Sequence, residues 1–303
     1  MHAPTLNYVP CADPCGGHRM AYWQWGDLGA AHVVVCVHGL SRQGRDFDVL
    51  VQALLARADH PLRVVCPDVV GRGQSDWLKD PSGYQIADYT GDMVALLGQM
   101  HAQAPVTTLD WVGTSMGGLI GMAVSGTPQL PLPVPVRRLV LNDVGPAIEW
   151  SALQRIGTYL GRSGHFASLQ AAADAMWAVS ASFGPHTPAQ WLALSQAMVK
   201  PMPNGEWTLH YDPAIAQPFS QLTEYEAQQG EVALWQLYDG LTAQVLLVRG
   251  ADSDLLSRET AQAMVARGPK ATCVEFAGVG HAPTLIADDQ VNTVASFLLA
   301  PSP

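Results

Sequence analysis

Five residues, Gly113-Thr114-Ser115-Met116-Gly117, place a serine between two glycines where an apolar run gives way to a helical pattern. A serine hydroxyl attacks a carbonyl usefully only when a base takes its proton. A sharp strand-to-helix turn at this point would lift the hydroxyl clear of a sheet. Glycines two residues to either side remove side chains that would collide in such a turn. It also leaves the Met116 N–H at a helix N-terminus, where negative charge is favoured. The expected base is His281, in Gly278-Val279-Gly280-His281 just past the last apolar run. His38, in His38-Gly39-Leu40, follows an early run and suits an oxyanion loop better. There the Leu40 N–H would join that of Met116 as a second donor. His60, His101, His165, His186 and His210 read as structural or solvated.

An imidazole base needs a carboxylate to fix its tautomer and stabilise the imidazolium. Asp254 is the expected one. It follows an apolar run in Arg249-Gly250-Ala251-Asp252-Ser253-Asp254, and Leu255, Leu256 and the helix-capping Ser257 would anchor its loop. Asp252 and Asp143, the latter in Leu141-Asn142-Asp143, are the alternatives. No metal is expected. Cys11 and Cys15 flank a turn with His18 nearby, but one cysteine pair does not close a tetrahedral shell. Cys36, Cys66 and Cys273 lie in apolar runs and read as core residues, not bridges. Arg42 and Arg45 read as loop residues with solvated guanidinium groups, able to receive one carboxylate.

The elements that must position these groups are legible from hydrophobic patterning. Short, nearly continuous apolar runs at 33–37, 63–67, 108–112, 138–141, 245–248 and 272–276 suit strands buried on both faces of a parallel sheet. Helical period separates them, with Phe47, Leu50, Val51, Leu54 and Leu55 in one segment and Tyr89, Met93, Leu96, Leu97 and Met100 in another. Helices are also expected over 116–125, 258–266 and 290–299. Met20 to Trp25 reads as an antiparallel strand. Alternation of this kind implies an α/β fold with a mostly parallel sheet flanked by helices. It breaks between Pro146 and about Leu241, where helices and many aromatics, among them Trp150, Tyr159, Trp177, Phe183, Trp191, Trp207, Phe219 and Trp235, replace strands. The expected division is a core of 1–145 and 242–303 with a helical lid at 146–241. The lid would cover the strand ends, where ligands of open α/β sheets bind, and its aromatics would shape an acyl pocket.

The 303 residues are 48% hydrophobic and 14% charged, enough apolar material for a large core. A net charge of -10 without clustered Lys and Arg argues against nucleic acid as a partner. The first ten residues lack a basic run followed by an apolar core, and no apolar stretch reaches the roughly 20 residues of a membrane span. A cytoplasmic protein with no membrane partner is expected. Homo-oligomerisation is allowed by the sequence. Between 146 and 240 there are three basic residues against eight acidic ones, a lid better suited to a neutral acyl group than to a dianion.

Ser115, Asp254 and His281, in that order, resemble the triads of the α/β-hydrolase superfamily, a resemblance that runs from Met20 to the last helix. His38-Gly39 and Asp68-Val69-Val70-Gly71-Arg72-Gly73-Gln74-Ser75 are similar to stretches common in its lidded members, and the second is read as structural. The acid loop of the superfamily commonly runs Gly-x-x-Asp, whereas Gly250 precedes Asp254 by one residue more. Ser115 excludes the aspartate-nucleophile dehalogenases and epoxide hydrolases, and Met116 departs from the proline iminopeptidases. Ser115-Met116-Gly117-Gly118 is shared with carbon–carbon hydrolases, which carry an aromatic residue where Ala282 follows His281. The resemblance implies a serine hydrolase acting on a small to medium carboxylic ester through an acyl-enzyme, with no cofactor. The alternatives are carbon–carbon hydrolysis of a diketone acid, acyl transfer, and a ligand receptor that keeps the triad with negligible turnover.

Overall fold

A computed structural model describes residues 3–162 and 164–301. The chain opens with a hairpin, β1 (Thr5–Cys11) and β2 (His18–Gly26), followed by β3 (His32–Val37), α1 (Asp48–Arg57), β4 (Arg63–Pro67) and α2 (Ile86–Gln103). β5 (Thr108–Thr114), α3 (Met116–Gly126) and β6 (Val136–Asn142) complete the first part. An insert then carries α4 (Trp150–Gly157), β7 (His165–Phe166), α5 (Leu169–Ser180), α6 (Pro188–Gln196), β8 (Val199–Pro201), β9 (Trp207–Leu209), α7 (Ala216–Gln221) and α8 (Glu224–Asp239). β10 (Gln244–Gly250), α9 (Arg258–Ala266), β11 (Thr272–Phe276) and α10 (Asp288–Leu299) return to the core.

Eight strands form one sheet in the order β1-β2-β4-β3-β5-β6-β10-β11, antiparallel at β1–β2 and β2–β4 and parallel elsewhere. All six residues of β3 are buried, as a strand covered on both faces requires. One face packs on α2 and α3 through Met93, Leu97, Ile120 and Val124, and the other on α1 and α10 through Leu50, Leu54, Val294 and Leu298. The expected sheet and flanking helices are therefore present. β1 was not among the expected strands. It lies at the sheet edge, where alternate residues stay exposed and Pro10 is tolerated.

Residues 146–241 differ from the expected all-helical segment by a three-stranded sheet, β7-β9-β8, whose strands of two or three residues are too short to show a period. Five aromatics of this insert, Phe166, Trp177, Phe183, Trp191 and Trp207, build a core of its own. Trp177 and Trp191 meet edge to face with centroids 4.9 Å apart, Phe183 and Trp207 pack around them, and Trp191 Nε1 donates to the Ala173 carbonyl. The insert is stitched to the 68–75 loop. Gly73 N donates to His210 O, Asp212 N to Gly71 O, and the Tyr84 hydroxyl to Asp212 at 2.5 Å.

Candidate active site

Ser115 stands between the last residue of β5 and the first of α3, with φ 51° and ψ -117°. That strained conformation persists because its surroundings over-determine it. Ser115 N donates to Asn142 O on the neighbouring strand at 3.0 Å. A Cβ at Gly113 would lie 2.2 Å from Gly117 O, and one at Gly117 would lie 2.0 Å from Val37 O. The two glycines are thus dictated by backbone packed against backbone.

His281, on the loop after β11, brings Nε2 to 3.0 Å from Ser115 Oγ. Its Nδ1 lies 2.8 Å from Asp143 Oδ2. The expectation that Asp254 performs this task is not met. Asp254 is exposed and accepts two hydrogen bonds from Arg155, at 2.6 and 2.9 Å. Asp252 is exposed as well. The physical reason lies in the loop after β10. Ala251 N and Asp252 N bond to Phe276 O and Val279 O, which turns Ser253 inward and leaves both aspartates outside. Ser253 Oγ then donates to Asp143 Oδ2 at 2.6 Å, while Gly250 N donates to Oδ1 at 2.8 Å. Asp143 is fully buried, and its carboxylate is satisfied by three donors. A signal for it was present: Asp143 directly follows the strand beside the one that leads to Ser115, and the φ of 56° there is one that Asp tolerates better than most residues.

Leu40 and Met116 flank Ser115, and among the described residues neither N–H has a backbone partner. Both residues are held by Arg72, whose role the sequence reading missed. This fully buried guanidinium donates from Nε to Leu40 O at 2.8 Å and from a terminal nitrogen toward Met116 Sδ at 3.7 Å. Its other contacts are the Val70 carbonyl and the Tyr89 hydroxyl. His38 fixes the same loop: Nδ1 donates to Gly39 O and Nε2 accepts from Val69 N. Burial, outweighing its bond to Gly39, lowers its pKa from 6.5 to about 3, so it is a neutral strut.

Two cavities meet at Ser115. The larger, about 390 Å³, is walled by aliphatic groups such as Leu119, Val144, Ile156, Ile215 and Leu234. Of the insert aromatics expected to shape the pocket, Phe219 lines this cavity, beside Tyr84 and Tyr89 of the core, and Tyr159 and Phe183 line the smaller one; among the described residues no tryptophan lines either. The smaller, about 90 Å³, is lined by His281, Thr284, Arg42 and Arg155 among others. Arg42 is paired with Asp46, and Arg45 pairs with Asp48 while lying over Trp23.

Away from this site, the donor atoms of Cys11, His18 and Asp92 lie within 4.8 Å of one another. Both ring nitrogens of His18 are engaged, Nδ1 by Asp13 at 2.9 Å and Nε2 by Asp92 at 3.0 Å. Burial alone would depress this imidazole, but the two carboxylates outweigh it and raise its pKa to about 9. The cluster therefore reads as an imidazolium clamp between the hairpin and α2. Among the described residues no helix is long and apolar enough to cross a membrane.

Comparison with known proteins bears on the family and the fold. The chain is 47% identical to the 3-hydroxybutyrate-oligomer hydrolase of Cupriavidus necator, over 97% of this chain and 98% of that one. The crystal structure of an alpha/beta hydrolase from Novosphingobium aromaticivorans superposes with a TM-score of 0.83 at 33% identity, covering 98% and 99% of the two chains. A thioesterase domain from the curacin biosynthetic pathway shares the fold, with a TM-score of 0.73 at 22% identity and coverage of 98% and 100%. The model of the alpha/beta hydrolase family matches residues 34–294. Match and architecture agree, and the chain belongs to the alpha/beta hydrolase family.

Proposed function

We propose that this hydrolase cleaves carboxylic esters through a covalent acyl-serine, and that its substrates are short linear oligoesters of 3-hydroxybutyrate or a close hydroxy acid. The observation that carries the mechanism is the continuous relay Ser115–His281–Asp143, with links of 3.0 and 2.8 Å. Ser115 Oγ attacks the ester carbonyl as its proton passes to His281 Nε2. The Leu40 and Met116 N–H groups receive the oxyanion. The carbon–oxygen bond then breaks, and His281 gives its proton to the departing oxygen. Water attacks the acyl-serine, again losing a proton to His281, which returns it to Ser115 as the acid leaves. Asp143 holds the tautomer throughout and stabilises the imidazolium. Residues 146–241 act as the lid, a role supported by Ile215, Phe219 and Leu234 in the wall of the larger cavity.

The substrate class is supported by 47% identity over 98% of the Cupriavidus enzyme and by a mainly apolar cavity, whose charged lining residues, Glu226 and Glu231, favour uncharged ester units over anions. The test is hydrolysis of the linear 3-hydroxybutyrate trimer, followed by mass spectrometry, beside labelling by a fluorophosphonate. Turnover, with the phosphonate on Ser115, is expected. Turnover undiminished in Ser115→Ala, or a trimer left intact by an enzyme active on p-nitrophenyl butyrate, refutes the mechanism or the substrate class respectively.

A further inference from the structure

The two cavities share Ser115, but His281 lines only the smaller, and their charged lining residues differ. His281, Ala282 and Thr284 line the smaller one, whereas Met116 and Leu119 line the larger. In ester cleavage the imidazolium returns its proton to the departing oxygen, so the departing alcohol lies on the histidine's side. That side is the smaller cleft, which leaves the acyl half to the larger cavity. The smaller cleft is lined by two guanidinium groups, Arg42 and Arg155, against one carboxylate, Asp46. Each guanidinium has its own carboxylate, Asp46 for Arg42 and Asp254 for Arg155, so the cleft gains a free cation only where one of those carboxylates is displaced.

We propose that the smaller cleft is a subsite for a leaving group that carries a carboxylate, held by Arg155. The enzyme then removes one hydroxy-acid unit at a time from the carboxyl end of an oligoester. This inference rests on the ester-cleavage reading above. Arg155 has a planar, two-pronged donor set, already used in that way on Asp254. The Arg155–Asp254 pair is solvent-exposed, with side chains 37% and 47% accessible, and such pairs contribute little, so exchange of one carboxylate for another is easy. Arg42, by contrast, is enclosed with Asp46 at 13% and 16% exposure; it stays paired and adds only its field. The size of the cleft agrees. At about 90 Å³ the cleft is smaller than the roughly 150 Å³ cavity that encloses benzene, so it admits no more than one hydroxy-acid unit, whose carboxylate would reach the exposed Arg155 at its rim. The larger cavity has room for the remaining chain. Each cut consumes one water: the departing unit gains a proton on its hydroxyl oxygen, and the shortened chain gains a carboxylic acid.

The test compares kcat/KM for the linear 3-hydroxybutyrate dimer as free acid and as methyl ester, in the wild type, Arg155→Met and Asp254→Asn. A charge-assisted bidentate contact should favour the free acid by about tenfold or more. Arg155→Met should bring the ratio of acid to methyl ester close to one. Asp254→Asn, which frees the guanidinium, should lower KM for the acid. A tetramer labelled with carbon-13 in its carboxyl-terminal unit should release that label first, as monomer. Equal rates on acid and methyl ester with the ratio unmoved by Arg155→Met, or two dimers as the first tetramer products, overturn the subsite while leaving ester cleavage standing. An enzyme inert toward dimer, methyl ester and p-nitrophenyl butyrate alike overturns both.

Discussion

Replacing Asp143 with asparagine tests the assignment of the acid with little change in shape, and the structure dictates how the new amide must sit. Gly250 N–H, which can only donate, points at Oδ1. The oxygen of the introduced amide must therefore occupy that position, which puts its NH2 at the Oδ2 position, 2.8 Å from His281 Nδ1. The hydroxyl of Ser253, now at Oδ2, can rotate to accept and so gives the opposite orientation no advantage. Facing a donor, His281 must present a lone pair at Nδ1 and carry its proton on Nε2, where it points at Ser115 and cannot accept. Loss of the correct tautomer in a triad lowers kcat by about 10⁴-fold, close to 5.5 kcal/mol of barrier. The assay is initial-rate hydrolysis of p-nitrophenyl butyrate, with a thermal melt to confirm that the variant folds. Asp254→Asn, run in parallel, should keep kcat within about threefold, because the loss of an exposed ion pair costs at most about 1 kcal/mol. A kcat for Asp143→Asn within tenfold of wild type, or an equally severe Asp254→Asn, would refute the reasoning.

Arg72→Met should leave a folded enzyme with kcat lowered by about 10²-fold, since the Leu40 donor loses its anchor; an unchanged kcat in a correctly folded variant would show that the loop holds itself. Leu234→Trp should fill part of the larger cavity and shift the preferred p-nitrophenyl ester to shorter acyl chains, each displaced methylene costing about 0.8 kcal/mol, or about fourfold in kcat/KM. Trp177→Ala, within the insert's own core, should lower Tm but leave that profile alone, and the reverse pattern would return the tryptophans to the pocket wall. For His18 the folded pKa lies above its ordinary 6.5, at about 9, so its contribution is complete below pH 6.5 and is lost as pH rises through 9. The shift corresponds to a ceiling of about 3 kcal/mol. The Tm difference between wild type and His18→Gln should therefore be largest near pH 6 and vanish by pH 10, and a constant difference would argue against a charged clamp.

The strands and helices of the core could be read from sequence because their burial imposes a period. The run at 33–37 is apolar throughout because sheet neighbours and helices cover it, and 258–266 carries a cap and a period of its own. Ser115 was legible for a related reason, since the glycines beside it answer to backbone contacts that tolerate no Cβ. The acid was not, because a carboxylate's partner depends on where two loops far apart in sequence come to rest. Asp254 sat in a plausible local context, but hydrogen bonds from Ala251 and Asp252 to the far side of the β11 loop turn it outward. The tryptophans misled in a similar way. An aromatic cluster reads identically in sequence whether it walls a cavity or fills a core, and here a β-sheet of two- and three-residue strands gathers it into a core. Arg72 left no signal beyond its motif, since a buried arginine serving carbonyls has no acidic partner to betray it.

Ser115 and Asp143 directly follow adjacent, hydrogen-bonded strands, and that placement has a mechanical consequence. Their separation is set by the spacing of a sheet, about 4.8 Å between neighbours, in the part of the molecule that should exchange its amide protons last. His281 alone rides on a loop, moored by Asn142 Nδ2 to the Pro283 carbonyl and by Gly280 N to Ser182 O in the insert. Two of the three groups thus sit on a fixed frame and the third on a loop, tethered to the core through Val279 and Pro283 and to the insert through Gly280, His281 and Thr284. Warming or mild denaturant should disengage the loop while the frame is still intact, so activity fades before the fold does. Because Ser182 belongs to the insert, any displacement of that segment would pull on His281 directly, and on the proposed reading would couple access to the site with the position of its base.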